Sequence, residues 1–164
     1  MTTHADGLKA KVLTVSDGIM AGTRDDLSGD ELERVLESNG FEVVERRCCS
    51  DGADEVAATL EDLCRDFSGL VVTTGGTGFS TRDETPEGAL RIIERQAPGL
   101  AEAMRAVNPL GRLSRGVAGI RGKAVICTTP GSPKGCVEQL AAIIDVLPHA
   151  LGLLHGEQTS HETT

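Results

Sequence analysis

Leu70 to Gly88 reads LVVTTGGTGFSTRDETPEG. Its first five residues are apolar or β-branched, the composition of a strand buried on both faces. Three glycines in four residues follow, at Gly75, Gly76 and Gly78. Thr85-Pro86 then reads as a helix start, with Thr85 as N-cap and Pro86 at the first helical position. Buried strand, pliant loop and helix start together make one βα unit of a parallel sheet.

The pattern repeats on either side. Upstream, Lys11 to Ser16 (KVLTVS) is a short apolar strand. A capping box, SGDE, places an N-cap at Ser28 with Glu31 three residues on. Leu32, Val35 and Leu36 form that helix's apolar stripe, and Gly40 ends it. Phe41 to Cys48 is a second strand, and Asp51 is a candidate cap for a helix striped by Val56, Leu60 and Leu63. Downstream, Pro98 opens a helix, Lys123 to Thr128 is a fourth strand, and Ser132-Pro133 starts a last helix running through Leu147.

Alternating strands and helices imply an α/β fold: three layers, a mostly parallel sheet with helices on both faces. The chain of 164 residues is expected to be one domain over residues 1–156. Residues 1–7 are expected to be flexible and 157–164 (EQTSHETT) a disordered tail.

Ligands in open α/β sheets collect beyond the carboxyl ends of the strands. That rule selects three loops: Asp17 to Leu27, Gly75 to Glu84, and Pro130 to Lys134. The first spans eleven residues, long for a βα connection. In the second, GGTG offers adjacent backbone N–H groups that can form an anion nest, and the helix start beyond it adds positive potential. A tight turn alone would also use these glycines. Asp83 at the loop's far lip serves a phosphate only through a hard cation such as Mg²⁺. The plainer reading pairs it with Arg82 or makes it a helix cap. PGSPKG (130–135) repeats the theme with Gly131, Ser132 and Lys134, or is loop punctuation.

Composition narrows the partners. There is no Trp or Tyr, and the net charge is -9, so a nucleic-acid backbone would be repelled and its bases would find few stacking surfaces. No apolar run reaches membrane-spanning length, and MTTHADGLKAKVL has no signal pattern, so a cytoplasmic location is expected. Charge is uneven. Asp25 to Asp66 holds fourteen acids and four bases, whereas Ala103 to Val137 has six bases and no acid. The second half is therefore a candidate for meeting an anion. Five cysteines lie in apolar or helical patterns and are expected to be reduced core thiols.

The chain resembles the MogA/MoaB molybdopterin-binding family over roughly residues 8 to 156. The carriers are VSDG, LSG, TTGGTGFSTRDETPEG, PGLAEAMR, LSRGVAGIRGK and PGSPKG, in family order. The resemblance implies that molybdopterin and Mg-ATP bind and that AMP is transferred to the pterin phosphate with release of pyrophosphate. It matches Asp83 and Asp51 to the essential aspartates, in Mg²⁺ handling or triphosphate orientation. It matches Gly75, Gly76, Thr77 and Gly78 to the phosphate- and pterin-contacting loop, with Arg82, Thr85 and Glu87 in the same block. Ser16 and Asp17 match the nucleotide-side loop, and Ser114 and Arg115 the LSR block. Pro130, Gly131, Ser132 and Lys134 match the PGSP loop, with Arg115 and Lys134 as anion contacts. Gly88 and Gly135 stand where many members have alanine. The family's trimers and dimers of trimers imply a homotrimer or larger assembly.

Two other readings stand beside the transferase. One is a non-catalytic molybdopterin- or precursor-binding protein of the MoaB type. The other is a nucleotide-binding dehydrogenase, which would need a glycine fingerprint after the first strand; DGIMAG (17–22) does not supply it.

Overall fold

In a computed structural model, residues 7–156 are described. The expectations for residues 1–6 and for the 157–164 tail lie outside them. The strands are β1 (Leu8–Val15), β2 (Phe41–Cys49), β3 (Gly69–Thr74), β4 (Arg95–Gln96), β5 (Ala118–Arg121) and β6 (Ala124–Thr129). They form one sheet in the order β2-β1-β3-β6-β5-β4. β2, β1, β3 and β6 are parallel, while β5 runs antiparallel to β6 and to β4. The expected mostly parallel sheet is what forms, with a reversed strand near one edge that carries no strong sequence signal.

The helices are α1 (Asp17–Met20), α2 (Leu27–Ser38), α3 (Ala53–Cys64), α4 (Thr85–Ile92), α5 (Pro98–Ala106), α6 (Pro133–Ala141) and α7 (Leu147–Leu154). Alternate strand residues feed two cores. Ala10, Val12, Leu70, Val72, Val125 and Cys127 pack under α2, α5, α6 and α7. Leu13, Val15, Val71, Ala124 and Ile126 pack under α3 and α4. Every residue of β3 and β6 is buried, as continuous apolar strands covered on both faces require. Among the described residues no helix is long and apolar enough to cross a membrane.

Several local expectations are corrected. The N-cap of α2 is Asp26, whose Oδ1 accepts from Gly29 N at 3.0 Å; Ser28 lies inside the helix. Asp26 outcompetes Ser28 because Thr14 Oγ1 and Arg46 also bond to its carboxylate and hold it in place. The last helix is interrupted between Ala141 and Leu147, and the second piece buries Leu147 and Leu151 in the core. Four cysteines are buried, but Cys48 is exposed; it lies near the end of the edge strand β2, its Sγ 4.0 Å from the Asp26 carboxylate.

Gly88 has a packing reason. A Cβ there would lie 2.7 Å from the Ala53 carbonyl oxygen and 2.8 Å from Val56 Cβ. α3 and α4 thus touch at backbone distance.

Candidate active site

β1, β3 and β6 run parallel, so their carboxyl ends share one edge of the sheet. Between β1 and β3 the winding reverses, since β2 lies to one side of β1 and the later strands to the other. This is the switch point at which such sheets open a crevice. The loop after β3 lines it.

That loop needs its glycines. Gly75 has φ +102° and Gly76 φ +70°, a region costly for other residues. A Cβ at Gly75 would collide with the Val15 carbonyl, and one at Gly76 with Thr85 Oγ1. Thr85 is not the helix cap. Its hydroxyl donates to Gly75 O at 2.8 Å, and its N–H donates to Gly76 O at 3.0 Å. The residue serves the loop, and the cap position falls to Glu84. Glu84 in turn accepts from Ala53 N at 2.8 Å, so it caps α3 from another segment. Asp51 does not cap α3; Gly52 holds that position at φ +120°.

Asp83 Oδ2 accepts from Ser80 N at 3.0 Å and lies 2.9 Å from where a Gly78 Cβ would be. Asp51 Oδ1 lies 3.4 Å from where a Gly76 Cβ would be. Both carboxylates therefore face the glycine loop. Arg82 pairs with Asp17 rather than Asp83, through Nε at 2.6 Å. That removes the reading in which Asp83 merely neutralises its neighbour. Arg82 Nη2 also donates to the Asp51 carbonyl at 3.0 Å. The Arg82 guanidinium bonded to Asp17 holds that carboxyl below the usual range.

Two cavities open at this edge. The larger, about 540 Å³, is lined by Gly76, Thr77, Gly78, Ser114, Ser132 and Lys134, among others. The smaller, about 440 Å³, is lined by Ser16, Asp51 and Gly75, with Arg24 and Ser28 beside them. Gly76, Asp83 and Gly131 line both, and Pro130 lines the larger. Asp83 thus stands where the two cavities meet.

Asp17, Arg82, Thr85, Glu87 and Arg115 line neither cavity. They brace it. Arg115 donates to Gly78 O at 2.8 Å and to Asp83 O at 2.6 Å, and it pairs with Glu87. The ion pair holds the Glu87 carboxyl below its usual range. The acid-free stretch does not converge on one anion site. Arg105, Arg112, Arg115 and Arg121 all bond to backbone carbonyls, whereas Lys134 lines the larger cavity with its side chain 85% exposed.

Sequence reasoning missed Asn108, Leu110, Leu113 and Glu138 in the larger cavity, and Arg24 in the smaller. Asn108-Pro109 is a turn signal, and it does open a 3-10 turn over Pro109–Leu113. Nothing local marks that turn as cavity wall.

Among the described residues no group of three or more His, Cys, Asp or Glu side chains converges as an all-protein metal cage. Mg²⁺ does not need one when substrate phosphates supply ligands. Asp51 and Asp83 suit that role, because each faces the loop and neither has an ion-pair partner among the described residues.

Residues 11–149 match the family model described as "Probable molybdopterin binding domain". The chain belongs to the molybdopterin-binding domain family. Family members include the molybdopterin adenylyltransferase of Helicobacter pylori strain J99, 36% identical over 88% of this chain and 86% of the relative. The molybdopterin adenylyltransferase of Escherichia coli K12 is 34% identical, over 91% and 86%. The crystal structure of the molybdopterin biosynthesis enzyme MoaB from Thermus thermophilus is 40% identical. It superposes with a TM-score of 0.85 over 93% of this chain and 99% of that one. In this chain Gly75, Gly76, Asp51 and Asp83 line one cavity.

Proposed function

We propose that the protein is a molybdopterin adenylyltransferase of molybdenum cofactor synthesis. The observation that carries this reading is Asp83, standing between two cavities and facing a glycine loop. Its relatives at about a third identity carry that activity in their names. Joining two phosphorylated molecules requires two adjoining sites with their anionic ends together.

In this reading the pterin lies in the larger cavity, where Leu110 and Leu113 offer apolar faces, and ATP lies in the smaller. A pterin phosphate oxygen attacks the α-phosphorus. The new P–O bond forms as the bond from the α-phosphorus to the bridging β-oxygen breaks, and pyrophosphate leaves. No side-chain nucleophile takes part. The chain's contribution is positioning and charge compensation. The N–H groups of the loop hold phosphate oxygens, and Arg115 holds the loop. Asp83 and Asp51 would hold Mg²⁺ together with the triphosphate; when bound, the ion offsets charge between phosphates and carboxylates. The same reading carries a homotrimer and a cytoplasmic location with it, and sedimentation checks the first.

Purified protein, molybdopterin, ATP and Mg²⁺ test the proposal, with pyrophosphate release as the readout. Pterin-dependent release that disappears in Asp83→Asn, with the fold and pterin affinity retained, is the expected result. Pterin binding without release from the unaltered protein would make it a binding protein instead.

A further inference from the structure

The larger cavity holds a carboxylate that the reaction does not use. Glu138 lines it from the second turn of α6. It lies six residues beyond the Ser132 cap, roughly 9 Å along the helix axis. That sets it back from the Pro130–Ser132 loop that opens the helix. A carboxylate in the cavity of an anionic ligand repels that ligand unless the ligand presents donors to it.

Glu138 is held to receive donors. Asn108 Nδ2 donates to its Oε2 at 3.2 Å. Asn108 cannot turn its amide over freely, because its Oδ1 accepts from Leu110 N at 2.9 Å. The other oxygen, Oε1, faces Lys134 at 3.7 Å, beyond hydrogen-bonding distance. Leu110 and Leu113 stand in the same wall and are 72% and 55% exposed, apolar faces available to a flat ring.

We propose that Glu138 is a specificity-determining residue. Its carboxylate receives the adjacent amino and ring N–H groups of a fused 2-amino-4-oxopyrimidine, the head of a pterin. Asn108 holds it in place, and Leu110 and Leu113 flank the ring. The inference rests on the pterin reading of this cavity. It assigns the end of the ligand opposite the phosphate.

The test compares binding of 6-hydroxymethylpterin with 6-hydroxymethyllumazine, in which an oxygen replaces the 2-amino group. The unaltered protein should prefer the pterin by about tenfold or more, the discrimination expected of a paired donor–acceptor edge. Glu138→Gln offers one donor and one acceptor, and should erase or invert that preference while keeping its circular dichroism and Tm. An unchanged preference in the folded variant, with pterin-dependent pyrophosphate release intact, overturns the role of Glu138 alone. Absence of both pterin binding and pyrophosphate release from the unaltered protein overturns the inference together with the function beneath it.

Discussion

Asp17 and Asp51 exchange hydrogen bonds. Asp17 N donates to Asp51 Oδ2 at 3.0 Å, and Asp51 N donates to Asp17 Oδ1 at 3.1 Å. Arg82 closes this pair by binding both Asp17 carboxylate oxygens and the Asp51 carbonyl. The orientation of Asp51 in the smaller cavity is therefore set by residues outside it.

Arg82→Ala should lower kcat for pyrophosphate release by about tenfold or more, since misplacing a positioned group is costly. The KM for pterin should change little. Arg82→Lys should restore little, because one ammonium cannot reproduce the guanidinium fork. Steady-state kinetics check this, and an unchanged kcat in either variant would count against the brace. The pH dependence has a definite sign. Asp17 is held below its usual pKa by Arg82. Its contribution is fully present above the unfolded-state value and is lost as pH falls through the lower folded value. Any activity limb near neutrality must therefore come from other groups.

Arg115→Ala removes two bonds to loop carbonyls and an ion pair. Because Arg115 lines neither cavity, the loss should weaken ligand binding to a similar degree at low and high salt. A direct anion contact would instead show a greater loss at low salt. Stability should fall by about 1–3 kcal/mol, as two carbonyls lose their charged donor. Titration calorimetry at two ionic strengths and chemical denaturation separate these outcomes.

Gly88→Ala should destabilise the protein although it improves helix propensity by about 1 kcal/mol. The added methyl meets the Ala53 carbonyl and Val56, and overpacking of this kind costs about 1–3 kcal/mol. A raised Tm would show that α3 and α4 can part without loss.

Thiol titration of the native protein should find one reactive cysteine, Cys48, and five after denaturation. Burial pushes Cys127 up to about 12 and Cys49, Cys64 and Cys136 up to about 11. Near neutrality those four lack both thiolate and access; partial burial and the Asp26 carboxylate raise the Cys48 thiol as well, so access is what sets it apart. Rapid modification of a second thiol would reveal local opening.

The core is legible in the sequence because its strands are uniformly apolar and its helices carry regular stripes. Leu70 to Thr74 and Lys123 to Thr128 announce central strands, and the structure buries β3 and β6 fully. Caps are harder to read. Ser28, Asp51 and Thr85 are all good local cap residues, yet each is recruited elsewhere or passed over. Tertiary partners decide between neighbouring candidates, as Glu84 does by reaching Ala53 across the site. β4 and β5 escape sequence reading because Arg95–Gln96 is too short to show a period and Ala118–Arg121 contains Gly119. Glu138 and Asn108 escape it because a cavity wall assembled from distant segments has no spacing to read.

The contacts that align Asp51 join residues far apart in the chain: Asp17 to Asp51, and Arg82 to Asp17. Closing such loops carries an entropic cost before any contact compensates it. Helices and paired strands can assemble first, leaving these carboxylates unaligned. During refolding, recovery of catalytic turnover should therefore trail recovery of the helical signal, and the interval between them should lengthen when Arg82 is replaced.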